Sequence, residues 1–432
     1  GQFYEYGDKY SGGLGTYTAK HVPMAVHAPE VNRTYFVYGG TTAEDAKHLL
    51  CMIGSYDHKK GLLSKPTVVH DKKNVSDPHD NPSLLIDGEG YIWVFVSGRS
   101  TKRPGFKYKS VRPYDIEHFE LVSTEEMTYP QPWLMPDGSF FHFFTKYTGR
   151  RELYFETSND GMIWDHDRKL AGMKREQDKF AGHYQISASR EQTVGTFFSW
   201  HPNGNVDKRT NLYYIESSDK GQIWNSANGN QVKVPFEHPE NIALIVDYHN
   251  NYKNVYLKDM GFTSTGEPVC LYLTSGGHEP GPQNQPYQWM ITKYSLDHWE
   301  HYKVCTSDHN YDMGSLFISG DTWFVVAPVI EGPQKYAPGG EIAIYKSVDK
   351  GLTWNFHLQV TQNSLYNHNY VRRPINARSP FMFFWTDGDP TEMSMSKVYF
   401  GNMNGDIWML PYKMYDDTER PQKIDYTKGK NR

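Results

Sequence analysis

The chain has 432 residues, a formal net charge of -5 and a mean hydropathy of -0.70, and 15% of its residues are aromatic. This balance argues against a nucleic-acid-binding protein, which would normally show a basic face, and no apolar run is long enough to span a membrane. Abundant Tyr, Trp, Gly and Pro favour strands and turns over helices. Three cysteines do not make a disulfide framework, although they leave one bridge open.

A hairpin is indicated early in the chain, at residues 77–100, DPHDNPSLLIDGEGYIWVFVSGRS. Two apolar runs flank the turn signal DGEG, which predicts two antiparallel strands joined by a tight turn. His79 stands before the first strand and Arg99 after the second, so both side chains are expected at the same edge. The pattern therefore places a titratable imidazole beside a permanent cation.

A short turn motif recurs along the chain at intervals of about 45 to 78 residues. Three copies fit the pattern Ser-x-Asp-x-Gly-x-x-Trp, one of them with a register variation, and four are looser. In chain order they are SYDHKKG (55–61), RPYDIEHF (112–119), SNDGMIW (158–164), SSDKGQIW (217–224), YSLDHWEHY (294–302), SVDKGLTW (347–354) and NMNGDIW (402–408). The Ser and Asp side chains bond nearby backbone amides, Gly takes the strained turn position, and Trp packs between sheets.

This motif resembles the Asp-box, or BNR repeat, of sialidase-like propellers. Seven copies, each preceded by an alternating strand pattern, predict an all-β fold: a seven-bladed β-propeller of four-stranded antiparallel blades. We expect a single propeller domain over residues 1–415, followed by a polar C-terminal tail over residues 416–432.

In a propeller, each blade's first strand starts and its second strand ends on one face, opposite the Asp-box turns. Most blades bring His, Arg, Lys or Tyr to that face, with few carboxylates. The candidates are His79, Arg99, Tyr129, Gln131, Lys146, Tyr147, Arg150, His183, Tyr184, His201, His278, His309, His368, Arg372 and Arg373, and the same edge also carries Arg151, Tyr311 and Tyr370. Any one of them could have a structural role, but their convergence on one face suits an anionic sugar, because cations bind carboxylates and aromatic rings stack on sugars.

The stretches HDNPSLLIDGEGYIWVFVSG, TYPQPWLMPDGSFFHFFTKY and FFWTDG…SKVYFGNMNGDIWMLP resemble BNR-repeat polysaccharide-processing propellers, and the resemblance covers nearly the whole chain. That group includes ulvan lyases and enzymes that remove terminal L-rhamnose from glucuronate in arabinogalactans such as gum arabic. The rhamnose–glucuronate branch is the preferred subgroup. Ulvan lyases carry a second histidine about twenty residues after the position of His79; Arg99 stands there in this chain, which puts ulvan itself in doubt.

The resemblance implies β-elimination at a uronate, with His79, Arg99, Tyr129 and Tyr147 as the catalytic set. His79 would act as base, acid or both, and Arg99, with Arg150 or Lys146, would neutralise the carboxylate. Tyr129, Tyr147 or Tyr184 would protonate the departing rhamnose oxygen. The remaining candidates would bind substrate.

Four alternatives stay open, and the first is an ulvan-type polysaccharide lyase. Some rhamnose–glucuronate relatives are described as α-L-rhamnosidases that use one histidine on the opposite face, a position that His27 could fill here with help from the substrate's own uronate. A sialidase would need three arginines and a Tyr–Glu pair, for which no convincing Glu is found. A non-catalytic glycan-binding propeller would keep the same aromatic and cationic side chains.

The expected partner is an acidic oligo- or polysaccharide, with no nucleic acid and no membrane span, and we expect a monomer. The chemistry requires no cofactor, although a structural calcium or other divalent ion could bind loop oxygens at a position that the sequence does not specify. No HExxH, CxxC or GxSxG motif occurs. We expect a secreted or periplasmic protein whose signal peptide has been removed, since the chain begins without Met.

Overall fold

The computed structural model describes residues 4–6, 15–43 and 48–426. Its strands form seven main antiparallel sheets that follow one another along the chain. The described part has no α-helix, and its short 3-10 turns are Pro78–Asp80, Pro202–Gly204, Val206–Lys208 and Pro282–Asn284. The predicted all-β, seven-bladed propeller is therefore confirmed. None of the described helical segments is long or apolar enough to cross a bilayer.

The blades are numbered in chain order, and their inner strands are buried along nearly their whole length, because each blade packs between two others. Blade 1 contains Ala25–Ala28, Arg33–Gly40, Leu50–Asp57, Leu62–Ser64 and Thr67–Asp71; blade 2 contains Pro82–Ile86, Ile92–Val96, Gly105–Ser110 and Phe119–Glu125; blade 3 contains Thr128–Leu134, Phe140–Lys146, Glu152–Ser158 and Arg168–Ala171; blade 4 contains Gln185–Arg190, Thr193–Trp200, Thr210–Ser217, Trp224–Asn225, Gln231–Val232 and Leu244–Val246.

The remaining blades have four strands each, apart from one strand added to blade 7. Blade 5 contains Asn254–Phe262, Pro268–Ser275, Tyr287–Ser295 and His298–Ser307; blade 6 contains Ser315–Ser319, Thr322–Ile330, Glu341–Ser347 and Asn355–Gln359; blade 7 contains Asn367–Arg372, Phe383–Gly388, Val398–Gly401, Ile407–Met409 and Gln422–Ile424. A separate pair of short strands joins Tyr4–Tyr6 to Met393–Met395.

Blades 1 and 7, the first and the last in the chain, are joined to each other. The backbone N–H of His27 donates to the carbonyl of Ile375 at 2.8 Å, which ties the first strand of blade 1 to the segment that follows the first strand of blade 7. The short strand Thr418–Glu419 pairs with Leu62–Ser64 of blade 1. The described part of the segment after residue 415 thus adds strands to blades 1 and 7, and this contact closes the ring.

All seven copies of the turn motif lie between the third and fourth strands of their blades. In the copy in blade 3, Ser158 Oγ accepts from the N–H of Gly161 at 2.8 Å, and Asp160 Oδ1 accepts from the N–H of Met162 at 2.8 Å. Trp164 Nε1 donates to the carbonyl of Gly161 at 2.8 Å. These hydrogen bonds satisfy the backbone N–H groups of the turn with side chains of the same turn.

The hairpin of blade 2 shows how the fold positions a site. Pro82 pairs with Val96, so His79 and Arg99 leave the sheet at the same edge, as predicted. The strand Ile92–Val96 is fully buried between its neighbours. A side chain at this edge is therefore held by a rigid support, because the packed strands behind it cannot shift independently.

Candidate active site

The blades surround a cavity of about 430 Å³ on the face where their first strands begin. Every blade, or the loop that precedes it, contributes to its wall. Three arginines, two lysines and two aspartates line it: Arg99, Arg151, Arg209, Lys20, Lys258, Asp77 and Asp312. Six tyrosines line it as well: Tyr17, Tyr129, Tyr184, Tyr256, Tyr311 and Tyr370. The excess of positive charge and the aromatic wall fit an anionic sugar.

Asp77 organises one end of the cavity. It precedes the 3-10 turn Pro78–Asp80, and its Oδ1 accepts from the backbone N–H of His79 at 3.0 Å and from Nδ1 of the same residue at 2.5 Å. Its Oδ2 accepts from Arg99 Nη1 at 3.0 Å and Arg103 Nη2 at 2.7 Å. Burial alone would raise the pKa of Asp77, but the bonds from His79 and Arg103 outweigh it and hold the pKa well below its usual range.

The ionised Asp77 sets the orientation and tautomer of His79. A carboxylate only accepts hydrogen bonds, so Nδ1 of His79 carries the hydrogen and Nε2 is left as an acceptor. Nε2 lies 3.0 Å from the hydroxyl of Tyr17, which lines the cavity. The imidazole is 17% exposed. This end of the cavity therefore holds a proton acceptor in a fixed position.

Two tyrosines next to His79 differ in their electrostatic surroundings. Burial raises the pKa of Tyr129 well above its usual value. Burial also acts to raise the pKa of Tyr184, but Arg151 and Arg209 overcome that effect and lower it. Lys20 Nζ lies 4.5 Å from the centre of the Tyr184 ring. The Tyr184 hydroxyl thus sits in a strongly positive region.

The cations of the cavity fall into two groups. Arg99 is paired with Asp77, and its Nε donates to the hydroxyl of Tyr147 at 2.9 Å. In contrast, no carboxylate in the described part of the chain pairs with Arg151 or Arg209, although both are largely buried. Burial, with Arg209 nearby, lowers the pKa of Lys20 well below its usual value, so the two arginines are the permanent charges of this group. Buried cations without counterions are costly, so this group attracts an anion into the cavity.

A BNR repeat-containing family model matches residues 33–312, well over half of the chain. The chain belongs to this family. Among curated proteins, an ulvan lyase of Pseudoalteromonas sp. (strain PLSV) is 24% identical over 249 residues, 49% of each chain. The ulvan lyase of Nonlabens ulvanivorans is 21% identical over 299 residues, which cover 59% of this chain and 62% of that protein. The matches of this BNR-repeat protein thus span 49% and 62% of the length of these two relatives.

The fold of this BNR-repeat protein also matches a solved ulvan lyase of polysaccharide lyase family PL25. The superposition gives a TM-score of 0.75 at 17% identity and covers 93% of this chain and 95% of that one. The same values hold for a structure of that lyase bound to -[GlcA(1-4)Rha3S]-. At this identity the match shows a shared fold over nearly the whole chain.

Seven residues that the sequence placed on this face line the cavity: His79, Arg99, Tyr129, Arg151, Tyr184, Tyr311 and Tyr370. Tyr147, the fourth member of the predicted catalytic set, lies behind Arg99 and accepts its Nε hydrogen bond. The structure thus brings the predicted catalytic set of this BNR-repeat protein together at one place.

Five other predicted residues are buried, and protein groups contact their polar atoms. Gln131 donates to the carbonyls of Lys20 and Gln185, and His183 contacts the carbonyl of Ser199. His309 contacts the carboxylate of Asp308, His368 contacts the indole of Trp385, and Arg372 donates to the carbonyls of Thr16 and His21. His201 is fully buried with its ring 4.8 Å from that of Tyr184. None of these six side chains lines the cavity, so their predicted contact with substrate stays a prediction.

The last four residues predicted on this face lie outside the cavity and closer to solvent. Each contacts a protein group: Lys146 pairs with Asp167 at 2.8 Å, Arg150 lies 4.2 Å over the ring of Phe180, His278 lies 3.6 Å from Glu279, and Arg373 pairs with Asp259 at 3.3 Å. Their predicted role in substrate binding also stays a prediction.

His27, the residue considered for a hydrolase on the opposite face, lies near the end of the first strand of blade 1. It is 3% exposed, its Nε2 is 3.3 Å from Asn32 Oδ1, and its ring packs 5.0 Å from that of His58. Burial lowers the pKa of His27. Its imidazole is therefore enclosed by protein groups.

The sequence analysis overlooked several residues of the cavity, among them Tyr17, Lys20, Asp77, Arg209 and Lys258. Two had a usable signal. Asp77 stands before a Pro–His pair, as a side chain that caps a turn does, and Lys258 lies beside Asp259 in the middle of a mostly apolar strand, NVYLKDMGF. The others lie in loops without a distinguishing pattern. Within residues 15–43 and 48–426, no group of three or more His, Cys, Asp or Glu side chains is arranged to hold a metal ion.

Proposed function

We propose that this protein is a polysaccharide lyase that cleaves a uronate-containing glycan by β-elimination. More specifically, we propose that it releases terminal L-rhamnose from α-1,4-linked glucuronate in arabinogalactan-type glycans. The observation that supports the proposal is one cavity that contains a proton acceptor, His79 held by Asp77, together with buried cations that have no carboxylate partner.

The reaction needs both features. The hydrogen on C5 of a uronate is weakly acidic, and its removal places further charge on the carboxylate next to it. A cation on that carboxylate lowers the barrier, because it stabilises the charge that builds up in the transition state. The electron pair of the C5–H bond then forms the C4–C5 double bond, the C4–O4 bond breaks, and the leaving oxygen takes a proton.

We assign these roles from the contacts. His79 Nε2 belongs to the proton-transfer end, because Asp77 holds the opposite ring nitrogen. Arg151 and Arg209 are better placed than Arg99 to bind the carboxylate, since Asp77 already shares the charge of Arg99. Tyr184, which lies against both arginines, is placed to contact the same sugar.

The cavity volume, about 430 Å³, lies in the range of sites that enclose a single small ligand, which favours the end of a glycan over a long internal stretch. The similarity to ulvan lyases supports a uronate substrate. Ulvan therefore belongs in any substrate panel, and a rate on ulvan above that on a rhamnose-capped arabinogalactan would overturn the narrower proposal.

The test is to incubate the protein with a rhamnose-capped glucuronate arabinogalactan and to follow free rhamnose and the ultraviolet absorbance of the unsaturated uronate. We expect both signals in equal molar amounts, and we expect His79→Ala to abolish both. His70→Ala is the matched control, because His70 also bonds a tyrosine hydroxyl, that of Tyr108 at 2.7 Å, but lies outside the cavity. Rhamnose without absorbance would mean hydrolysis and would refute the elimination.

A further inference from the structure

Tyr17 belongs to a segment that precedes blade 1 and is held firmly over the cavity. The guanidinium of Arg372, 2% exposed, donates to the carbonyl of Thr16 at 2.9 Å and to that of His21 at 2.8 Å. The side-chain amide of Asn81 donates to the carbonyl of Tyr17 at 2.7 Å. Buried groups of blades 7 and 2 thus fix the backbone that presents this tyrosine.

The side chain of Tyr17 completes a chain of hydrogen bonds that begins at Asp77. Asp77 Oδ1 accepts from His79 Nδ1 at 2.5 Å, and Nε2 of the same imidazole lies 3.0 Å from the Tyr17 hydroxyl. The Tyr17 ring also packs edge-on against the imidazole, with ring centres 5.0 Å apart, and against Tyr370 at 5.1 Å. Both ring nitrogens of His79 are therefore occupied by protein groups.

We propose that Tyr17 is the catalytic residue that exchanges protons with the substrate, and that His79 and Asp77 act behind it as positioning residues. This inference rests on the proposed elimination and names the group that carries it out. A substrate hydrogen that approaches this end meets the phenol oxygen, because the imidazole nitrogen behind it is already engaged. Tyr129 is less suited, since its ring centre is 6.0 Å from that of His79.

The step balances without any external reactant. As the Tyr17 oxygen takes the proton from C5, the phenol's own proton moves to Nε2 of His79, where the carboxylate of Asp77 stabilises the resulting imidazolium. The C5–H electron pair forms the double bond, and the C4–O4 bond breaks. Tyr17 passes the proton from C5 to O4, and His79 then returns the stored proton to the phenol oxygen.

The test compares Tyr17→Phe with Tyr108→Phe. Both remove one hydroxyl that bonds an imidazole, but the Tyr108–His70 pair lies outside the cavity. We expect Tyr17→Phe to lower kcat by at least about 100-fold with KM changed by less than about threefold, as for loss of a proton-transfer group. Tyr108→Phe should keep wild-type kcat. A Tyr17→Phe enzyme within about threefold of wild-type kcat would overturn the inference.

A second measurement does not depend on activity. The nitrogen-15 resonance of His79 Nε2 at neutral pH should move in Tyr17→Phe and stay in place in Tyr108→Phe, because only the first variant removes the phenol that bonds this nitrogen. An unmoved resonance in Tyr17→Phe would show that the hydrogen bond is absent and would overturn the inference. If the resonance moves while the wild-type protein produces no unsaturated uronate from any glycan tested, the proposed function fails, and the catalytic role of Tyr17 falls with it. If wild-type lyase activity is present but insensitive to Tyr17→Phe, the inference alone fails.

Discussion

Asp77→Asn removes the negative charge that three cationic or titratable groups share, while it keeps the size of the side chain. In the native protein Asp77 Oδ1 holds His79 at 2.5 Å, and Oδ2 holds Arg99 at 3.0 Å and Arg103 at 2.7 Å. An amide keeps one acceptor oxygen but brings an N–H₂ group that only donates. The variant therefore leaves two guanidinium groups close together without their shared counterion.

The expected loss of free energy of unfolding in Asp77→Asn lies between the values for surface and buried ion pairs, because the side chain of Asp77 is 24% exposed. Breaking a fully buried pair costs about 3–5 kcal/mol and an exposed one less than about 1, so we expect about 1–3 kcal/mol in the free energy of unfolding. The effect on catalysis is larger, because the amide can hold His79 in the wrong tautomer; we expect kcat to fall by about 100-fold or more.

The stability effect has a definite pH dependence. The pKa of Asp77 is lower in the folded protein than in the unfolded chain. Its contribution is thus fully present above the unfolded pKa of about 3.9 and is lost as the pH falls toward the folded value. The difference in unfolding free energy between wild type and Asp77→Asn should therefore be constant near neutral pH and shrink below about pH 4.

Urea unfolding from neutral pH to about pH 3, combined with kcat measurements, tests both statements. Asp71→Asn is the matched control, because Asp71 also bonds a histidine, His48 at 2.5 Å, but is 49% exposed and lies outside the cavity. It should cost less than about 1 kcal/mol and leave kcat unchanged. The reasoning is refuted if Asp77→Asn behaves like this control in both measurements.

Two further predictions concern the cavity charge and the repeat. Burial lowers the pKa of Lys258 to about 7, so its charge is lost above that pH. The KM of the wild type for an anionic glycan, obtained from initial rates, should therefore rise as the pH increases from about 6 to 8. The KM of Lys258→Met should not change over the same range. Gly161→Ala should cost about 2–4 kcal/mol in chemical unfolding, because Gly161 has φ 76° and a Cβ there would lie 2.7 Å from Trp93. Gly138→Ala, at φ 85° with no atom within 4 Å of the new Cβ, isolates the backbone strain and should cost about 1 kcal/mol. Equal losses in both glycine variants would contradict the packing argument.

The blades themselves could be predicted because their signals are local. The Ser, Asp and Gly of an Asp-box bond within a few residues of one another, as Ser158 and Asp160 do, so the motif is readable without knowledge of the rest of the fold. Its recurrence then sets the number of blades, since each copy ends a third strand. The position of His79 and Arg99 at one edge could also be predicted from local sequence, because a hairpin brings its two ends together.

Which side chains reach the cavity was decided by the tertiary structure. Arg372 and His368 occur at the predicted edge, yet Arg372 bonds backbone carbonyls and His368 accepts from an indole. Tyr17, Arg209 and Lys258 come from positions far apart in the chain and meet only when the ring closes. The chain order shows on which face a strand begins, but the direction of each side chain depends on pleat, register and neighbouring blades, which are long-range properties. The sequence alone therefore determined the propeller and the face on which its first strands begin, and the packing of all seven blades determined which side chains line the cavity.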